Sequence, residues 1–328
     1  MKQRTCLVLG CLMVAVAAAG TVPKAEFAGL TVDSRIGELL NHPAFAGFAD
    51  RILPRADLEV DRDAKLSTIA SLLPYHEHVD PAEVVRGLNR LIDDANAGRQ
   101  VFFDFYTETE KQREPSKAQT GLFFLRGRPG APFAVIAPGG GFSYVGSVHE
   151  GFPYALQINQ RGHNAFVLRY RVGQGGTVAT EDLAAALSYI FRNAGALGVS
   201  TKDFSVWGSS AGARMAAAIG THGAARFGGD ALPKPSAVVI AYTGHSDYSA
   251  DDPPTFAVVG QRDRIASPST MERRVQALRR AGVAVAFRNY PALGHGFGTG
   301  TGTNAQGWID EAVDFWERAQ RQPAPQPR

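Results

Sequence analysis

The sequence predicts an α/β fold built on a mainly parallel sheet that is covered on both faces. Three features carry the expectation. Short uninterrupted apolar runs recur from Phe133 onward, helix-like stretches separate them, and Gly208-Ser209-Ser210-Ala211-Gly212 stands where one run turns into a helix. Apolar runs without alternation belong to strands buried on both faces, and strands that alternate with helices pair in parallel. The 328 residues, 45% of them apolar, suffice for one large core, with or without a small appendage. A net charge of +3 with no long basic run gives nucleic acid or a membrane surface no electrostatic hold.

Taken in order, residues 1–19 read as a secretory signal peptide. Lys2 and Arg4 precede the apolar run Cys6 to Ala18, and Ala17-Ala18-Ala19 before Gly20 forms a small-residue cleavage site. The run is too short and wrongly flanked for a spanning helix, with an uncleaved anchor as the alternative. Leu9-Gly10-Cys11 has the outline of a lipoprotein cleavage box, but the apolar stretch ahead of Cys11 is very short. The expected location is periplasmic or secreted. Both cysteines, Cys6 and Cys11, lie in this segment, so the mature chain is expected to hold no disulfide and no cysteine metal site.

Residues 24–100 read as a helical N-terminal extension packed on the main domain. Ile36, Leu39 and Leu40 share one face, as do Val84, Val85, Leu88, Leu91 and Ile92. Asp80-Pro81-Ala82-Glu83 is a helix start and Gly98 a stop. His42, His76 and His78 read as surface or cap residues, since no third ligand stands at metal-site spacing.

Residues 101–320 read as the catalytic domain. Val101 to Tyr106 and Leu122 to Leu125 are expected to form an antiparallel strand pair joined by a charged turn around Glu110 to Lys117. Strands are then expected at Phe133 to Ile136, Ala165 to Tyr170, Asp203 to Trp207, Ala237 to Ala241, Thr255 to Val259 and Val283 to Phe287. Helices are expected near Phe152 to Gln160, Glu181 to Asn193, Ala211 to Ile219, Ser269 to Ala281 and Trp308 to Arg318. Residues 321–328, ending Pro323 to Arg328, read as a disordered tail.

In such a sheet, chemistry gathers in loops beyond the C-terminal strand ends. Gly208 and Gly212 permit a sharp strand-to-helix bend that lifts the Ser210 hydroxyl above the sheet, although an ordinary glycine turn has the same letters. Gly139-Gly140-Gly141, after strand Phe133 to Ile136, suits an oxyanion site; a plain turn or a nucleotide loop are the rivals, and no Gly-Lys-Ser/Thr follows. Asp263 ends strand Thr255 to Val259 in Gly-Gln-Arg-Asp, with Asp247, Asp251 and Asp252 as competitors and Arg262 and Arg264 as possible ion partners. His295, in Gly294-His295-Gly296, completes the chain order Ser, Asp, His; His149, His222 and His245 are the other candidates. Phe142, Tyr144 and Phe297 flank these motifs as pocket walls or as core.

The Gly-Gly-Gly loop, Gly-Ser-Ser-Ala-Gly, Gly-Gln-Arg-Asp and Gly-His-Gly together resemble the α/β-hydrolase fold of the esterase/lipase superfamily. Pro138 to Phe142, His149-Glu150-Gly151 and Asn164 to Arg171 are similar to bacterial acetyl esterases, often called acetylxylan or carbohydrate esterases. The resemblance spans roughly Val101 to Gln320. It implies Ser210 as nucleophile, Asp263 as acid and His295 as base, with oxyanion donors from Ala211 and from Gly140 or Gly141. It implies a small-molecule or saccharide ester as substrate, with Phe142, Tyr144, His149, His245 and Phe297 as substrate-binding candidates. No cofactor and no metal are implied, and no nucleic-acid or membrane partner after signal cleavage. Pro138 departs from the His that opens this loop in relatives. The expected activity is cleavage of carboxylic esters through an acyl-enzyme; the alternatives are an amidase or peptidase of the same fold, or a carbohydrate-binding protein with a degenerate site.

Overall fold

The computed structural model describes residues 26–55 and 59–321. The signal-peptide reading and residues 322–328 of the tail fall outside the described residues. Eight strands form one sheet: β1 (Phe102–Phe103), β2 (Gly121–Leu125), β3 (Pro132–Ala137), β4 (Asn164–Arg169), β5 (Ser200–Ser209), β6 (Ala237–Ala241), β7 (Thr255–Gly260) and β8 (Val285–Tyr290). Their order is β1-β2-β4-β3-β5-β6-β7-β8. Neighbours β1/β2 and β2/β4 run antiparallel, and every pair from β4 to β8 is parallel. Phe133 to Ala137 and Ala237 to Ala241 are buried throughout, as the absence of alternation requires when both faces are covered.

The helices are α1 (Ile36–Leu40), α2 (Pro81–Asn96), α3 (Glu108–Arg113), α4 (Phe152–Gln160), α5 (Gly175–Arg192), α6 (Ala194–Leu197), α7 (Ala211–His222), α8 (Pro268–Arg280) and α9 (Trp308–Gln320). Among the described residues, no helix is long and apolar enough to cross a membrane. Four sequence expectations need correction. The strand expected over Val101 to Tyr106 is only the two-residue β1. The charged turn between β1 and β2 is α3 followed by a 3-10 turn, Pro115–Gln119. Its start is a capping box: Thr107 Oγ1 accepts from Glu110 N at 3.3 Å, and Glu110 Oε2 accepts from Thr107 N at 2.8 Å. Strand β8 is shifted to Val285–Tyr290, because as the sheet edge it is only half covered and tolerates Arg288 and Asn289. Helix α5 begins six residues earlier than its apolar period suggests, at Gly175 rather than Glu181.

The N-terminal extension is helical only in part. Beside α2 it holds the five-residue α1 and three 3-10 turns, Pro43–Phe45, Ala49–Arg51 and Leu66–Leu72. The short turns still bury Leu39, Phe45, Ile52, Leu66 and Ile69, and these join the same continuous core as the sheet. Asp80 caps α2 by accepting from Ala82 N at 2.8 Å, with Pro81 at the first position. Gly87 lets α2 approach α4 closely, since a Cβ there would stand 2.8 Å from Phe152 Cβ. The segment from Tyr75 to Glu83 runs along the loops that follow β3 and β8, meeting Gly141, Gly146, Gly294, Gly296 and Thr299.

Candidate active site

Strand β5 passes into α7 through a single residue. Ser210 has φ 50° and ψ −113°, a conformation that costs on the order of 1–3 kcal/mol for a residue with a Cβ. The surrounding packing holds it there. Ser210 N donates to Ala241 O at 2.9 Å, and the two glycines allow the bend to close. A Cβ on Gly208 would collide with the Gly212 carbonyl, and one on Gly212 with the Ala137 carbonyl. Ala211 is the first helical residue, so its N–H has no acceptor within the helix and lies at the positive end of the α7 dipole beside Ser210.

Two further strand ends bring up the partners. His295 Nε2 lies 2.8 Å from Ser210 Oγ, and His295 Nδ1 lies 2.7 Å from Asp263 Oδ2. The buried Asp263 also accepts from Ile265 N at 2.8 Å and Ala266 N at 2.7 Å through Oδ1. With its Nδ1–H committed to the carboxylate, the imidazole presents Nε2 as an acceptor to the serine hydroxyl. The competing carboxylates are occupied elsewhere: Asp247 pairs with His222 at 2.7 Å and Asp252 with Arg274 at 2.8 Å, while Asp251 is exposed. Arg262 and Arg264 point to solvent, and the ion pair of Asp263 is with His295. The ring of Tyr242 stands edge-on behind His295, 5.1 Å between centroids.

The glycine loop adjoins the nucleophile, since a Cβ on Gly139 would stand 3.0 Å from Ser210 Cβ. Gly140 (φ 131°), Gly141 (φ 62°) and Phe142 (φ 59°) all turn the chain through the left-handed region. The Gly140 carbonyl accepts from Ser143 N and Tyr144 N, and the Gly139 carbonyl from Gly146 N. Gly139 N donates to Glu150 Oε2 at 2.6 Å. The N–H groups of Gly140 and Gly141 carry no hydrogen bond among the described residues and stay free for a ligand oxygen.

The sequence reading takes His149 as a pocket residue and quotes Glu150 only within the resemblance; it misses the cluster these two form with His76 beneath this loop. A π-turn, Ser147–Gly151, swings His149 and Glu150 inward, both buried. Glu150 Oε1 accepts from Tyr242 Oη at 2.6 Å and pairs with His76 Nε2 at 3.1 Å. Burial pushes its carboxyl up, but the facing His76, its hydrogen bond and His149 outweigh that and hold it down at about 2. The His149 imidazole is pushed down to about 4 by burial and by neighbouring His76. His76 is therefore no surface residue: its side chain is buried against Tyr144, His149 and Glu150. His42 does cap its turn, accepting from Ala44 N, and His78 is exposed.

Several candidate pocket residues stand behind the site rather than in it. Phe297 is fully buried against Tyr242 and Tyr290, and His149 is turned toward Gly296 O at 3.0 Å. Tyr144 is buried with its hydroxyl on His76 Nδ1 at 2.8 Å. Phe142 is half-buried against Tyr170 and Gly176, and His245 is half-buried among Arg214 and Arg274. The exposed aromatic at the loop is Tyr75, stacked on Tyr144 and close against Gly141. Among the described residues, no group of three or more His, Cys, Asp or Glu is placed to hold a metal.

Residues 127–247 match the BD-FAE family, and residues 240–322 match the prolyl oligopeptidase family. An acetylxylan esterase of Xylanibacter ruminicola is 24% identical over 218 residues, 57% of this chain and 45% of the relative. The chain thus spans less than half the length of that relative. An α/β-hydrolase from a Medee basin deep-sea metagenome library superposes with a TM-score of 0.53 at 25% identity, over 62% of this chain and 93% of its own. An acetyl ester-xyloside bifunctional hydrolase of Caldicellulosiruptor lactoaceticus superposes with a TM-score of 0.58 at 20% identity, over 66% and 95%. Sheet order, the bend at Ser210 and these likenesses converge on the α/β-hydrolase fold.

Proposed function

We propose that the chain is a serine hydrolase that cleaves carboxylic esters through an acyl-enzyme on Ser210. One observation carries the reading: a single imidazole bridges Ser210 Oγ and the Asp263 carboxylate at 2.8 and 2.7 Å. Ser210 Oγ attacks the ester carbonyl while His295 Nε2 takes its proton. The carbonyl oxygen becomes negative beside the N–H groups of Ala211 and of Gly140 or Gly141. Collapse breaks the bond to the alcohol oxygen, which leaves with the proton from His295. Water, deprotonated by the same nitrogen, then attacks the acyl carbon and releases the acid, and Ser210 regains its proton.

Short acyl groups on a carbohydrate are the substrate class this reading favours. The naming of the Xylanibacter ruminicola relative as an acetylxylan esterase supports it, as does exposed Tyr75 beside Gly141, an aromatic face suited to a sugar ring. The apolar run behind Lys2 and Arg4 supports export to the periplasm or beyond. The match of residues 240–322 to the prolyl oligopeptidase family favours an amidase or peptidase as the second reading. Turnover of a matched ester and amide separates the two. In the decisive experiment Ser210→Ala lowers kcat/KM on p-nitrophenyl acetate by about 10⁴-fold or more, with native melting and no fluorophosphonate labelling. A variant that hydrolyses at the native rate overturns the mechanism.

A further inference from the structure

Two buried titratable groups, Glu150 and His76, take no part in the acyl-enzyme chemistry, yet they meet directly under the loop that receives the oxyanion. The carboxylate of Glu150 holds three donors: Gly139 N, Tyr242 Oη and His76 Nε2. A fully buried carboxylate requires such partners, because an unpaired charge in the interior is costly. On its other side the imidazole closes a polarised chain. Tyr75 N donates to Tyr144 Oη at 3.1 Å, Tyr144 Oη lies 2.8 Å from His76 Nδ1, and His76 Nε2 lies 3.1 Å from Glu150 Oε1.

Both ends of the loop are touched by this pair. Gly146 N donates to Gly139 O at 2.9 Å and shuts the loop into a ring. Glu150 grips that ring at Gly139, and His76 presses on it at Gly146, where a Cβ would stand 3.0 Å from the imidazole. Pro138, just ahead of the loop, offers no side-chain hydrogen bond of its own. The imidazole comes from residue 76, far back in the chain, and its segment is fastened again where Glu77 N donates to Gly296 O at 3.0 Å, next to His295. Buried polar groups linked in this way act as a unit, and removing one member unsettles the rest.

We propose that His76 is a positioning residue: by fixing the Glu150 carboxylate it sets where the N–H groups of Gly140 and Gly141 lie relative to Ser210. The proposal rests on the acyl-enzyme reading. It touches no substrate atom, so its signature is a loss in kcat with KM nearly unchanged, as expected when transition-state contacts alone are displaced.

The test uses the whole chain with p-nitrophenyl acetate. His76→Asn keeps a polar amide on the Tyr144 side but is too short to reach Glu150, and kcat is expected to fall about 10- to 100-fold. His76→Gln restores an amide donor near the Nε2 position and is expected to recover most of that loss. Glu150→Gln falls similarly, and the double variant with His76→Asn is no worse than Glu150→Gln alone, because the two act in one unit. Thermal melts accompany each variant, and His76→Leu, close to Gln in size but without a donor, is expected to stay as slow as His76→Asn, which sets the hydrogen bond apart from packing. The proposal is overturned if His76→Asn turns over at the native rate, if Gln and Asn lose activity equally, or if the loss lies in KM alone. Native turnover by Ser210→Ala instead sinks the acyl-enzyme reading itself, and the proposal with it.

Discussion

The two sides of Ser210 are built by different kinds of chain. On one side, Asp263 and His295 arrive on loops that leave β7 and β8, two neighbouring parallel strands of the sheet. On the other, the glycine loop leaves β3 and is braced by residues 75–83, which belong to a segment of short turns around one long helix. In the proposed mechanism the reacting groups therefore rest on hydrogen-bonded strands, whereas the dipoles that would receive charge rest on side-chain contacts from elsewhere in the chain. A strand end fixes a side chain within a few residues of sequence. A packed brace needs a partner from far away, here 74 positions between His76 and Glu150 in a single ion pair.

The largest effect should come from the strand-end side. Asp263→Asn keeps shape but leaves the imidazole in the wrong tautomer, and kcat is expected to fall on the order of 10⁴-fold with little change in melting temperature. A loss below tenfold would mean that the carboxylate only packs, and the comparison breaks. The brace side should show instead in acid stability. An unfolded histidine takes a proton near 6.5, but buried His149 refuses it until about 4. The unfolded chain thus binds more protons in that window, and stability falls as pH drops through it, by up to ~1.4 kcal/mol per pH unit. Glu150, ordinarily near 4.5 and held at about 2, adds loss between those values in the same direction. Urea midpoints at descending pH should show both, and His149→Gln should flatten the upper part. The smallest effect sharpens the comparison at the substrate. Tyr75→Ala is expected to raise KM for acetylated xylo-oligosaccharides about 3- to 10-fold, in keeping with ~0.5–1.5 kcal/mol for an aromatic contact. Hydrolysis of p-nitrophenyl acetate should be unchanged; a general fall in kcat would assign Tyr75 to the brace alone.

How much of this was legible follows the same division. Gly208, Gly212 and Gly260 are small because backbone passes within contact of them, and Gly294 because the Glu77 carboxylate does; such letters cluster around the residues they serve. Ser210, Asp263 and His295 could therefore be read from local motifs. His76 could not, since nothing within several residues of it distinguishes a solvated imidazole from one sealed beneath Tyr144. Phe297 misled for the converse reason: it adjoins the His295 motif in sequence, but the chain reverses after Gly296 and sends its ring inward onto Tyr242. The α3 helix was an avoidable miss, because Thr107 and Glu110 stand at capping-box spacing in the sequence itself.

Glu83 on α2 accepts from Thr299 Oγ1 at 2.5 Å and from Thr301 Oγ1 at 2.6 Å, tying down the glycine-rich run that follows His295. The two family matches begin at residue 127, well after Glu83. The stretch that the family models match and the stretch that anchors this run are therefore not the same polypeptide. Trimming the chain to the region that the family models match would discard the peg on which the glycine-rich run after His295 hangs.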